Sequence, residues 1–109
     1  MSRKESDNKA AIVAFSNAML AKMNANNHKR SWHDASVDYL MHRLIDEVME
    51  LAEAVINIKV AVERGGDVGS DDLFEKAMAE CADVANFPMM IWDKLRHRSM
   101  GGSRDSEYL

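Results

Sequence analysis

Apolar positions recur every three or four residues through most of this chain, which is the period of an amphipathic helix. Ile12, Phe15, Met19 and Met23 mark a first helix over about residues 8 to 26. Residues 1 to 7 are polar and are expected to fray. The stretch Asn24-Ala25-Asn26-Asn27-His28-Lys29-Arg30-Ser31 breaks the period and reads as a loop. A second helix is expected from near Asp34 or Ser36, either of which can cap it. Val37, Leu40, Met41, Leu44, Val48, Leu51, Val55, Ile58 and Val62 form its stripe, and Gly65-Gly66 ends it. Its length invites a break. Residues 65 to 70 form a Gly-rich turn. A third helix follows, with Asp72 and Glu75 at capping-box spacing and a stripe of Leu73, Ala77, Val84, Phe87, Ile91 and Leu95. Pro88 lies inside that stripe and predicts a kink or a new helix start, because it removes a backbone donor and crowds the carbonyl of Val84. From Ser99 the chain turns polar and reads as a tail.

This pattern describes one all-α domain over residues 1–109, with an ordered core of about 8–98 and a tail over 99–109. Nine methionines, five glycines and one proline agree with helices. Three helices give a thin core in 109 residues, so the helical bundle is expected to complete its core by oligomerisation, as a homodimer or homotetramer. The Met-rich stripe is read as core or subunit interface. The net charge of −4 argues against a general nucleic-acid-polymer binder. No apolar run reaches the length of a membrane span, so no membrane partner is expected. The polar N-terminus has no signal-peptide character, and the single cysteine, Cys81, excludes an internal disulfide; both fit a cytoplasmic setting. Cys81 itself is read as a small buried residue.

Two carboxylate pairs stand out: Glu47-x-x-Glu50 in the second helix and Glu80-x-x-Asp83 in the third. At about 100° per residue, Glu47 falls at the edge of its stripe and Glu50 about 60° beyond it. Glu53 lies further towards solvent. Glu80 falls inside the third helix's stripe and Asp83 about 60° off it. A carboxylate in an apolar stripe is rare unless it is paired or bound to metal. Mg²⁺, a hard cation with oxygen ligands, is the first candidate. The competing reading is a solvated acidic face with ion pairs to Arg43, Lys59 or Lys94. His28, His33, His42 and His97 are assigned surface or structural roles, because none follows a Glu at the three-residue spacing of di-iron carboxylate bundles.

Asp46-Glu47-x-x-Glu50, a spacer of 29 residues and Glu80-x-x-Asp83 together resemble the motif of the MazG-type, all-α NTP pyrophosphatase superfamily. Asn27-His28-Lys29-Arg30-Ser31-Trp32 resembles the Lys-x-x-Trp segment of phage-type members, and Asp83-Val84-Ala85-Asn86-Phe87-x-Met89-Met90 resembles their second-motif helix. The resemblance covers about residues 25 to 95. Asp46 stands where the family has Glu, and Pro88 where it has a helix former. The resemblance implies a bundle of that superfamily's type and Mg²⁺-dependent hydrolysis of a nucleoside triphosphate to the monophosphate and pyrophosphate, with Mn²⁺ as a substitute metal. It implies Glu47, Glu50, Glu80 and Asp83 as metal ligands, and Asp46 or Glu50 as general base. Lys29, Trp32 and Asn86 become candidates for substrate binding, and Lys94, about 40° from Glu80 on a straight helix, is a further candidate for a phosphate contact. A phosphoribosyl-ATP pyrophosphohydrolase and a non-catalytic helical interaction module are the alternatives.

Overall fold

The computed structural model describes residues 2–26, 32–65 and 71–99, and among these every regular element is helical. Helix α1 spans Arg3–Ala25, α2 Val37–Glu63 and α3 Asp71–Ser99, with a 3-10 turn at Trp32–Asp34 before α2. Lys29 and His28, residues 66–70 of the turn expected over 65–70 and residues 100–109 of the tail expected over 99–109 lie outside the described residues, while Ser99 is still helical. No helix among the described residues is long and apolar enough to cross a membrane.

The polar N-terminus is helical, contrary to expectation. Ser2 caps α1: the Glu5 amide donates to Ser2 Oγ at 3.1 Å and the Ser6 amide to the Ser2 carbonyl at 2.9 Å. Glu5 then faces the positive end of the helix dipole. Of the two caps expected for α2, Ser36 is the one used; the Tyr39 amide donates to its Oγ at 3.0 Å, whereas Asp34 belongs to the 3-10 turn. Helix α2 runs unbroken for 27 residues. It closes with Gly65 at φ +65°, a left-handed conformation that glycine adopts without a Cβ clash. Asp71 and Asp72 are both helical, so Asp72 sits in the first turn of α3 and is not its cap.

Pro88 does not interrupt α3. The lost hydrogen bond and ring clash cost about 3 kcal/mol. Packing on both flanks offsets that cost: Met90 is buried, and Val84, Phe87 and Ile91 are half-buried.

Helix α3 is the central element. It packs along α2 on one side, receives the C-terminal part of α1 on another, and carries the 3-10 turn. The buried apolar residues are Leu40, Ala54, Ala77, Ala82 and Met90. Three of the five are alanines, which lets the helix axes approach closely. On α2 the buried line is Leu40, Glu47, Ala54, one residue per heptad. Glu47 therefore lies at the centre of the α3-facing side, where the stripe had put it at an edge. The stripe itself is split: Leu44, Leu51 and Ile58 are half-buried, while Met41, Val48, Val55 and Val62 are exposed. Along α1 only Met19, Lys22 and Met23 are half-buried, and Ile12 and Phe15 face outwards. The radius of gyration is 17.2 Å. A compact domain of this length would have about 13 Å.

Leu40 is 1% exposed and is the largest side chain fully enclosed. Leu40→Ala should lower the unfolding free energy by about 2–5 kcal/mol. Leu20→Ala, at an exposed position, should change it by less than about 0.5 kcal/mol. Urea denaturation of both variants checks this.

Candidate metal centre

The α2–α3 seam brings Glu47, Glu80 and Asp83 together, with one carboxylate oxygen from each lying within 4.8 Å of the other two. Two ionised carboxylates at that distance repel by about 3 kcal/mol in partly buried surroundings. Glu50, one turn beyond Glu47, is more exposed. It shares a side-chain hydrogen bond with Glu47 and repels Glu80. Glu50 also lines an open cleft with Glu53, Ala54, Lys76 and Glu80.

The electrostatics follow from burial. Desolvation is the largest influence on Glu47, followed by the hydrogen bond its protonated carboxyl donates to Glu50 and the charges of Glu50 and Asp83. Together they push its carboxyl up to about 7, although Arg43 pulls the other way. Burial, then Glu50 and Asp83, also raises Glu80 above the usual carboxylate range, against Lys22 and Lys76. Glu80 Oε2 is buried with no hydrogen-bond partner. A divalent cation would satisfy that oxygen and relieve the repulsion. The donor set, all hard oxygens, suits Mg²⁺ or Mn²⁺.

The protein's own cations relieve part of the charge. Arg43 Nη2 donates to Glu47 Oε1 at 3.0 Å, while its Nη1 lies 3.3 Å from Asp46 Oδ2. Its guanidinium also sits 5.8 Å from the centre of the Phe87 ring. Lys22 Nζ on α1 lies 3.3 Å from Asp83 Oδ2. Sequence reasoning missed Lys22 and Lys76. A lysine one turn after Met19 carries no distinguishing signal until α1 docks on α3.

The other candidates stand elsewhere. Asp46 is exposed and turned towards Arg43. Asn86 is 4% exposed; its Nδ2 donates to the Met19 carbonyl at 3.2 Å, tying α3 to α1, and its Oδ1 is buried without a partner. Lys94 Nζ donates to the His33 carbonyl at 2.9 Å, and Trp32 stacks on His33 with ring centres 3.9 Å apart. Trp32 and Lys94 thus form one group, displaced from Asp83 by about 16 Å along α3. Lys29 lies outside the described residues. Cys81 is exposed, contrary to expectation, because the neighbouring helices meet α3 on other sides. His33, His42 and His97 are exposed.

No family model matches the chain, and no solved structure matches it. An uncharacterized protein of Archaeoglobus fulgidus is 36% identical over 69 residues, covering 63% of this chain and 59% of that protein. The chain therefore spans less than two thirds of that relative's length.

Glu47 keeps its proton in the folded state to about 7, but loses it near its ordinary value of 4.5 when unfolded. The stability this proton confers is present at low pH and disappears as pH rises through about 7. Metal-free protein should lose stability from this group across that window, and Glu47→Gln should flatten the loss. Mg²⁺ must displace the proton, so its stabilising effect should be larger at pH 8 than at pH 6. Thermal melts at both pH values, with and without Mg²⁺, measure each effect.

Proposed function

We propose that this chain is a Mg²⁺-dependent nucleoside triphosphate pyrophosphohydrolase of the MazG type, releasing pyrophosphate and a nucleoside monophosphate. One observation carries the reading: Glu47, Glu80 and Asp83 converge from two helices around a buried, unpartnered carboxylate oxygen. A solvated acidic face would leave no such oxygen. The resemblance of the Asp46-Glu47-x-x-Glu50 and Glu80-x-x-Asp83 motifs to that superfamily supplies the reaction class.

Glu47, Glu80 and Asp83 would hold the metal, with Glu50 beside them at the mouth. Bound Mg²⁺ would offset the triphosphate's charge and favour ionisation of an attacking water. Glu50 is the better placed of the two candidate bases, because it adjoins Glu47 and opens on the cleft, whereas Asp46 is engaged by Arg43. Lys76 at the cleft and Lys22 at Asp83 are positioned to meet phosphate oxygens. Trp32 remains the candidate for base stacking. Lys94 serves by anchoring the turn that carries Trp32, through the His33 carbonyl.

The Arg43–Glu47 and Lys22–Asp83 pairs favour a second reading, in which internal cations make the carboxylates purely structural in an interaction module. Pyrophosphate release across NTPs, dNTPs and phosphoribosyl-ATP with Mg²⁺ distinguishes the readings and identifies the substrate. Glu80→Gln, folded by circular dichroism, should lose turnover by about two orders of magnitude or more. Full activity in that variant sinks the assignment. An interaction module should show no Mg²⁺-dependent stabilisation by nucleotides.

A further inference from the structure

The cations about the carboxylate cluster differ in where they come from. Arg43 shares α2 with Glu47, one turn before it. Lys76 stands in the same relation to Glu80 on α3. Lys22 comes from α1. Its Nζ lies 3.3 Å from Asp83 Oδ2 on α3, and its charge also acts on Glu80. Breaking a contact within one helix leaves the docking of helices as it was. Breaking the Lys22 contact removes a tie between two of them.

That tie matters because α1 has few. No described residue of α1 is buried, and only Met19, Lys22 and Met23 are half-buried. Its other polar tie among the described residues is the hydrogen bond that Asn86 Nδ2 donates to the Met19 carbonyl at 3.2 Å. Both ties meet one turn of α3, at Asp83 and Asn86, and one turn of α1, at Met19 and Lys22. The helix is thus fastened near its C-terminal end, while Ile12, Val13 and Phe15 stand exposed further back.

We infer that Lys22 is a tethered stand-in for the cation of this site, and that cation binding at Asp83 releases Lys22 and loosens α1 from α3. The inference rests on the metal-binding part of the proposed function and not on the hydrolysis. A dication held by Glu47, Glu80 and Asp83 repels an ammonium that shares the Asp83 carboxylate. It also takes up the negative charge that keeps Lys22 there. The pair is weak enough to give way, since its side chains are 35% and 22% exposed and water screens them. The released ammonium has a favourable place of its own: Lys22 lies in the last turn of α1, where the helix dipole stabilises a cation. From there it is available to phosphate oxygens. Lys22 and the dication therefore compete for Asp83, and α1 docks most tightly in the cation-free protein.

Hydrogen exchange of the full chain, read by mass spectrometry with and without saturating Mg²⁺, tests this together with a calorimetric titration of Mg²⁺ alone. In the wild type, Mg²⁺ should speed amide exchange over residues 19–25 about two- to fivefold, while slowing it in α2 and α3 around Glu47 and Glu80. Lys22→Met keeps an unbranched stem and removes the charge. Its α1 should exchange fast without Mg²⁺ and no faster with it, and its Mg²⁺ affinity should rise about two- to fivefold. Lys22→Arg should restore the wild-type response. If Mg²⁺ binds but α1 exchange stays the same or slows, or if Lys22→Met binds Mg²⁺ more weakly, the inference fails and the metal site stands. If Mg²⁺ does not bind, both fail together. The α1 response without pyrophosphate release from any nucleotide supports the inference and overturns the hydrolase alone.

Discussion

Like-charge repulsion at the α2–α3 seam is the constraint around which the molecule is arranged. Leu40, Glu47 and Ala54 form one buried line down α2, and its middle member is a carboxylate facing two more on α3. Such a line could have been apolar throughout and would then have been more stable. The chain instead keeps Glu47 protonated to about 7 and distributes Arg43 and Lys22 around the cluster. Each of these devices is partial. Glu80 Oε2 still has no partner, which is why a cation is the simplest completion of the seam.

The small core and the charged seam have a common cause. Alanines at 54, 77 and 82 bring the helices close enough for carboxylates on different helices to meet. The same alanines bury little apolar area, at about 25 cal/mol per Å². Helix α2 therefore has two unlike sides. One is committed to the carboxylate site, and the other holds most of the helix's large apolar groups in the open. Cation binding on the first side and burial of the second would both supply stability that the isolated, metal-free chain lacks.

Helix α1 links these parts. Its C-terminal stretch reaches α3 through Met19, whose carbonyl accepts from Asn86, and through Lys22, which meets Asp83. A change in the charge of the cluster would thus be felt by α1. Its N-terminal half, with Ile12 and Val13 exposed, makes no comparable packing.

Local rules made much of this legible. The three-helix pattern, the Ser36 cap, the glycine closing α2 and the two carboxylate pairs at helical spacing follow from periodicity, capping chemistry and side-chain type. Pro88 shows where local rules stop, since packing on both flanks overrides its tendency to end a helix. Periodicity also identifies that a helix has an apolar side without saying what that side meets. Hence Glu47 moved from stripe edge to seam centre, Cys81 from core to surface, and Lys22 from unremarked position to ion pair. Lys94, close in angle to Glu80, was drawn to the His33 carbonyl instead. By itself the sequence determined the helices and the chemical groups they carry, because these depend on interactions within a few residues. Only the tertiary structure decided which faces meet and which charges share a site, because helix rotation and docking are set by the packing of residues distant along the chain.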